Sequence, residues 1–423
     1  MPPSLAAIIA AASLGLALLG AADGVRAQAA GAAADNGLHG RLELQDFADL
    51  YPPGSLDADL GAGQAEFADA NLRLSWAAGA GPWRLTLDYL FDAQGGAEVA
   101  IARQAVALPP APPATMFDLT SVIADRGRAE ATGTIDRLAI AYATADTVVR
   151  VGRQALTWGS GLVFRPMDLF DPFSPSAVDT EYKPGVDMIY AEHLFADGSD
   201  VEVAIAPRPA RWGGPPVADD SSFALQSRTS LWGHRVTWLL ARDHGDWTGG
   251  AGLNGALGGA TWNIELVPTG LAQGGTRLSA IANISDAVSL LGRNATLFAE
   301  YFRNGFGVGA GASLSTLPFA LSDRLARGQV FENRRDFLAG GASVEISPLL
   351  TLAPTLIVTL DDGSVLALVS ATWSLGDNLT LIAGAQAPIG APGTQFGGLP
   401  LAPASPTRLG PPARLYVQLR RYF

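Results

Sequence analysis

Apolar and polar residues alternate with a period of two along most of the chain from residue 39 onward. Within residues 71–76, for example, leucine and tryptophan occupy the even positions, while asparagine, arginine and serine occupy the odd ones. In a β-strand this alternation makes one face apolar and the other polar. About 18 segments follow the pattern, namely 39–48, 66–77, 82–92, 131–144, 146–155, 185–196, 200–208, 222–231, 234–243, 246–254, 257–267, 275–285, 295–305, 336–347, 350–361, 363–374, 377–388 and 413–423.

The connections between these segments alternate in length. After even-numbered segments the chain mostly turns back within a few residues, whereas the long connections follow odd-numbered segments and are 49–65, 93–130, 156–184, 306–335 and 389–412. An outer-membrane barrel sorts its connections in this way, because its periplasmic turns are short and its extracellular loops are long. We therefore predict an all-β fold, a transmembrane antiparallel β-barrel of about 18 strands (16–18). A soluble β-sandwich would share the period of two, but it gives no reason for short connections to follow even-numbered segments and long connections to follow odd-numbered ones.

The composition also indicates a membrane protein. Charged residues make up 16% of the 423 residues, against roughly 25% in soluble domains, and hydrophobic residues reach 48%. Beyond the first two dozen residues the sequence has no run of about 18 apolar residues that would form a spanning helix. The net charge of 28 − 40 = −12 excludes a polybasic surface for nucleic acid. We expect a bacterial outer-membrane protein whose partners are outer-membrane lipid, the barrel-insertion machinery and small polar solutes, with its oligomeric state left open.

The first 29 residues have the pattern of a secretory signal peptide. Leu5 to Leu19 is apolar or small, and Ala27-Gln28-Ala29 is a typical cleavage signature, so we divide the chain into a signal peptide at 1–29 and a barrel at 30–423. A retained anchor helix is the alternative. Because strand pattern begins about ten residues after the cleavage site, we expect no plug domain, and passive diffusion or facilitated export without energy coupling.

The last residues alternate in the same way as the other segments. Leu415, Val417 and Leu419 are separated by polar residues, and the chain ends at Phe423. This stretch resembles the C-terminal assembly signal of bacterial outer-membrane proteins, in which a terminal Phe closes an amphipathic strand. The position of Arg421, where that signal usually has an apolar residue, departs from the pattern.

If the apolar positions of the strands face lipid, their neighbours line the lumen. Acids and arginines both occur there, and the arginines are Arg41, Arg73, Arg84, Arg150, Arg228, Arg235, Arg277 and Arg414. A guanidinium binds carboxylates and phosphates through two parallel hydrogen bonds, so an arginine-lined wall favours anionic or polyhydroxylated solutes. The alternative is that these charges pair across neighbouring strands and brace the wall.

The densest motif surrounds the third long connection. A strand with Gly152, Arg153 and Gln154 leads into Trp158-Gly159 and then into a loop with four prolines. This motif resembles porin-like outer-membrane families, in particular 18-stranded channels of the alginate-export type, in which a strand with Gly-Arg-Gln precedes an important loop. By analogy with porins whose third loop folds inward, the resemblance implies that loop 156–184 narrows the lumen.

Loop 156–184 contains both rigid and charged residues. Its prolines restrict the backbone, its aromatic residues can pack against the wall, and its candidate constriction residues are Arg165, Asp168, Asp171, Asp179, Glu181 and Lys183. The alternative is an outward loop that packs on its neighbours.

An enzyme would need chemistry that the sequence supports weakly. The chain has no cysteine, and none of its four histidines lies in an HExxH motif or near a G-x-S-x-G turn. We therefore expect no catalytic residues, no metal and no cofactor. A porin-like channel for diffusion or export of small polar or anionic solutes is our interpretation, and a non-transporting scaffold or adhesin, or a barrel enzyme, is the alternative.

Overall fold

A computed structural model describes residues 36–103 and 114–423, so the signal peptide predicted at 1–29 lies outside the described residues. The strands are β1 (Gly37–Leu50), β2 (Gln64–Ala80), β3 (Trp83–Gly96), β4 (Thr120–Arg126), β5 (Ala129–Ala143), β6 (Thr147–Gln154), β7 (Val186–Leu194), β8 (Asp200–Ala206), β9 (Ser222–Leu231), β10 (His234–Asp243), β11 (Asp246–Leu257), β12 (Ala260–Gly270), β13 (Thr276–Leu290), β14 (Arg293–Arg303), β15 (Asp336–Ser347), β16 (Leu350–Thr359), β17 (Val365–Gly376), β18 (Leu379–Ile389), β19 (Leu399–Pro400), β20 (Arg408–Leu409) and β21 (Ala413–Tyr422).

Eighteen of these strands form one closed antiparallel barrel. Each strand pairs with the next in sequence, apart from the short extra strand β4 and the small β19–β20 hairpin. Closure occurs where β21 pairs with β18 on one edge and with β1 on the other. The backbone of Phe423 completes this seam by exchanging hydrogen bonds of 2.7 and 3.0 Å with Gly40, and its ring covers that glycine.

Side chains alternate between the two faces of the wall as the sequence predicts. In β21, Leu415 and Val417 are exposed on the outer face, whereas Tyr416 and Gln418 are buried on the inner face. In β10, Trp238 and Leu240 are likewise exposed on the outer face. An exposed apolar outer face with a polar interior is the surface that a barrel presents to lipid and to a watery lumen. The fold is thus a β-barrel of the outer-membrane type.

The loop-length alternation is confirmed. Two-residue turns such as Trp232-Gly233 follow even-numbered barrel strands, and the long connections follow odd-numbered ones. The predicted segments 222–231, 234–243 and 336–347 coincide with β9, β10 and β15.

Several elements within the long connections have no counterpart in the predicted strands, among them one strand and two α-helices. Strand β4 pairs with the part of β5 that extends beyond β6, and all of its residues are exposed, so it has no alternating pattern. Helices α1 (Ala97–Ala102) and α2 (Phe319–Ala326) lie in the connections that follow β3 and β14. Neither helix, among the residues that the structure describes, is long and apolar enough to cross a membrane.

Gly152 of β6 lies close to the backbone of β5. Its φ of +124° is a conformation that other residues rarely adopt, and a Cβ there would overlap the carbonyl oxygen of Leu138 and lie 3.0 Å from the Cα of Ala139. The glycine of the Gly-Arg-Gln motif is therefore required by the backbone.

We predict that Gly152→Ala destabilises the barrel by ~1–3 kcal/mol, because the strained backbone and the overlap must both be accommodated. The free energy of unfolding in denaturant, together with the heat-modifiable gel migration of the folded barrel, measures the effect. Gly376→Ala is the matched control, since a Cβ there meets nothing within 4 Å. Equal stability of the two variants would contradict this role for Gly152.

Candidate pore-lining site

Glu300 on the inner face of β14 holds the first part of loop 156–184. Its carboxylate accepts hydrogen bonds from the backbone N–H groups of Leu162, Val163 and Phe164 at 2.6, 3.0 and 2.7 Å. Asn283 of β13 donates to the same carboxylate at 3.0 Å. Glu300 is only 1% exposed. One buried acid thus supplies acceptors to three consecutive loop amides that would otherwise lack them.

Two further acids of the inner face contact the preceding residues of the loop. Glu265 of β12 accepts from the backbone N–H of Ser160, and Glu202 of β8 accepts from the indole of Trp158 at 2.6 Å. Asn283 also donates to the carbonyl of Ser160 at 3.1 Å. Residues 158–164 therefore follow the inner face from β8 to β14.

Apolar packing supports the same path. The ring of Phe164 stacks on Phe302 of β14 with centroids 4.4 Å apart, and Trp158 packs edge-on against Phe170 at 5.6 Å. Met167 is fully buried between the loop and the wall, near Gly250 and Gly252 of β11. Both glycines leave space for this side chain.

The returning part of the loop contacts basic residues near the barrel seam. Arg41 of β1 donates to Asp179 and Glu181 at 3.0 and 2.8 Å, and Arg420 of β21 donates to Asp179 at 3.0 Å. Burial opposes ionisation of Asp179, but Arg41 and Arg420 hold its pKa below the usual value. The Tyr182 ring lies 4.8 Å from the guanidinium of Arg41.

A β-bulge in β5 holds the end of the loop. The register of β5 shifts next to Asp136, so that Asp136 and Arg137 lie together on the inner face. Asp136 binds Arg73 and Arg137 and accepts the backbone N–H of Gly185 at 3.0 Å, while Arg137 donates to the carbonyl of Lys183.

Lys183 and Asp168 form a buried ion pair inside the loop. The ammonium lies 2.7 and 2.8 Å from the two carboxylate oxygens and donates to the carbonyl of Leu156 at 2.6 Å. Burial raises the pKa of Asp168 to about 6 and lowers the pKa of Lys183. These two candidate constriction residues therefore contact each other and cross-link the loop.

The other candidates are distributed along the loop. Arg165 is half-buried and donates to the carbonyl of Gly161 at 3.2 Å, and Asp171 is half-buried with a positive φ of 56°. Burial raises the pKa of Asp171. The structure brings Asp179 and Glu181 together at the seam but does not place all six candidates at one point.

The eight predicted lumen arginines occupy inward positions in the strand alternation, and several pair with wall acids. Arg228 lies directly opposite Asp200 and binds it at 2.9 Å, and Arg414 lies opposite Asp49 and binds it at 2.5 Å. Arg73 binds Asp88 at 2.8 Å. The remaining members are Arg84 and Arg235 near the periplasmic turns, Arg277 near the extracellular end, and Arg150 beside Gln154.

Sequence reasoning placed Arg41 on the inner face but did not predict that it, or any other charged or amide residue of the wall, holds the loop. Asn283 and Glu300 occupy inward positions of predicted strands, but a polar residue at such a position is ordinary in a barrel. Arg153 of the Gly-Arg-Gln motif lies at an outward position and binds Asp187 at 2.7 Å, beneath the backbone of Phe117. This pair explains how an acid can occupy the outer face of β7.

Solved structures with a similar fold are outer-membrane porins. OccAB2 of Acinetobacter baumannii has 11% sequence identity to this chain and a TM-score of 0.52. A BenF-like porin of Pseudomonas fluorescens Pf-5 has 13% identity and a TM-score of 0.51. OpdK of Pseudomonas aeruginosa, solved with vanillate, has 11% identity and a TM-score of 0.50. Each comparison covers 91% of this chain and 98% of the other. The chain thus has the porin barrel fold, and the 18-stranded architecture implied by the sequence resemblance is confirmed.

No protein-family model matches the sequence, and no curated protein matches it.

We predict that Glu300→Ala releases the first part of loop 156–184, because three amides lose their acceptor at a cost of about 1–3 kcal/mol for each unsatisfied group. Proteinase K should cleave the loop much faster in this variant while the barrel strands stay intact. Glu345→Ala is the control, since Glu345 is an inward acid that binds Asn294 instead of the loop. Equal cleavage rates in the two variants would show that Glu300 does not restrain the loop.

Proposed function

We propose that this protein is a non-enzymatic outer-membrane channel for small polar or anionic solutes, and that loop 156–184 narrows its lumen. The observation that supports this proposal is the set of contacts that the loop makes with inner-face residues. They extend from Glu202 of β8 through Glu300 of β14 to Arg420 of β21 and Arg41 of β1. An outward loop could not reach these positions.

The size of the barrel makes such a loop necessary for selectivity. Barrels of 16–18 strands enclose an aqueous channel, and a wide channel discriminates among solutes only where fixed groups restrict it. Loop 156–184 supplies both restriction and charge. Its apolar residues Phe164 and Phe170 are buried, so polar groups and backbone are left to face the solute.

We assign different roles to the candidate residues. Asp168 and Lys183 hold the shape of the loop through their buried ion pair. Asp179 and Glu181 attach the returning part of the loop to the arginines at the seam, and both remain about a quarter exposed. Arg165 and Asp171 are half-buried and form no ion pair in the described part of the chain, so we assign them to contact with solute.

The arginines of the inner face determine which charge of solute the channel prefers. Their positive charge favours anions and hydroxylated solutes over cations, although pairing with Asp49, Asp88 and Asp200 reduces the effective charge. We propose passive diffusion, since the barrel and its inner loop need no energy input to admit a small solute.

Deletion of residues 162–178 should raise the single-channel conductance severalfold and weaken ion selectivity, because the deletion removes the part of the loop that crosses the lumen. Planar-bilayer recordings measure both quantities, and heat-modifiable migration verifies folding. Deletion of residues 211–214, the exposed tip of the loop between β8 and β9, is the control. If the folded 162–178 deletion conducts like the wild type, another segment defines the bore.

Arg41→Gln should increase fluctuations of the open-channel current, because Asp179 and Glu181 lose one of the two arginines that bind both of them, and the returning part of the loop is held less firmly. Arg277→Gln removes the same charge from the inner face, but Arg277 donates only to the carbonyl of Thr276 in the described structure. The two variants therefore separate the effect of charge from that of loop attachment. Similar current noise in both would overturn the role proposed for Arg41.

A further inference from the structure

A pocket lies between loop 156–184, the connection 304–335 and the inner faces of β11–β14. Five aromatic rings line it, and they belong to Phe164, Phe173, Phe302, Phe306 and Phe331. The strands contribute no charged group to the pocket; their polar groups are the hydroxyls of Thr248, Thr269 and Ser279, and Asn304 of the connection adds an amide. The pocket is distinct from the arginines at the barrel seam, which do not line it.

Glu332 lines this pocket without a cation beside it. The side chain is only 7% exposed, and no salt bridge in the described part of the chain includes it. Its carboxylate accepts a long hydrogen bond of 3.4 Å from the backbone N–H of Phe331. Burial raises its pKa to about 7. A buried carboxylate normally has a paired cation or several strong hydrogen bonds, so Glu332 lacks the partner that its burial requires.

The other charged groups of the pocket bind neighbours other than Glu332. Arg324 binds Asp246 at 2.6 Å and stacks on Phe306 at 4.0 Å. Asp168 is paired with Lys183. Arg165 donates to the carbonyl of its own loop at Gly161. None of these basic groups forms an ion pair with Glu332.

We propose that this pocket binds a small organic cation, an ammonium group on an aromatic or alkyl body. The ammonium would supply the missing partner of Glu332, and the rings of Phe164, Phe306 and Phe331 would surround the apolar body. An anion of the same shape would be repelled by the carboxylate of Glu332. The pocket therefore prefers cations, whereas the arginine-lined wall prefers anions. Binding in the pocket requires the folded barrel and its loops, but it does not require that solute pass through the channel.

The test uses three probes of one shape and different charge: benzylamine, benzyl alcohol and benzoate. Ligand-observed NMR titration of the detergent-solubilised full chain measures binding without any use of conductance. We expect benzylamine to bind most tightly at pH 8, where Glu332 is ionised. Its affinity should fall as the pH drops through 7 to 5.5, because Glu332 becomes neutral while benzylamine stays a cation.

Glu332→Gln should weaken benzylamine binding at pH 8 by at least about tenfold, as expected when a hydrogen bond to a charged group is lost. Glu345→Gln is the control, since it removes an inward acid that does not line the pocket. Tighter binding of benzoate, equal binding of all three probes, or affinity for benzylamine that does not change with pH would overturn the proposal. The probe series on the unmodified protein decides the question even if the Glu332 variant does not fold.

Discussion

The structure depends on the requirement that every backbone N–H and C=O group within a membrane finds a partner inside the protein. For strands, only a closed barrel meets this requirement. Closure is achieved by pairing the last strand with the first, from Arg41 opposite Tyr422 to Leu50 opposite Ala413. Two further features of the structure follow from closure. Because the outer face is apolar, the polar residues of the strands face inward, and eighteen strands leave an interior too wide for wall side chains alone to fill. Within this interior, the chain's own third long loop contacts inner-face residues of β8, β14 and β21.

The barrel could be predicted from the sequence because its rules are local. Alternation within a strand reports which face meets lipid, and the parity of connection lengths reports which side of the membrane a turn occupies. Neither signal needs knowledge of distant contacts, which is why β9, β10 and β15 coincide with predicted segments. Strand β4 could not be found in this way, since it lies beyond the paired length of β6 and both of its faces meet solvent.

From the sequence, loop 156–184 could be predicted only as a segment that contains the rigid and charged residues expected of a constriction. Which wall residues contact it depends on the register of strands far away in sequence, such as the 138 residues that separate Leu162 from Glu300. Alternation shows that Glu300 faces inward but cannot show at what height it lies or which amides it meets. The same limit explains why Asp136 was not identified, since its inward position follows from a bulge in β5. The composition of the loop indicated that it is rigid and charged. Its path along the wall could not be predicted without knowing the register of the strands in three dimensions.

The two halves of loop 156–184 are held by different interactions, and this difference bears on how the loop can respond to ions. Residues 160–164 are attached through backbone amides to Glu265 and Glu300, which are both 1% exposed. The returning part is attached through ion pairs of Arg41 and Arg420 with Asp179 and Glu181, whose side chains are 25% and 28% exposed. Partly exposed ion pairs are weakened by salt and by competing anions, whereas buried hydrogen bonds to the backbone are screened much less. An anionic solute that reaches the seam competes with Asp179 and Glu181 for the same guanidinium groups. The ion pairs of the returning half are therefore the loop contacts that are most sensitive to ionic strength and to competing anions, whereas the buried hydrogen bonds of the entering half are less sensitive to both.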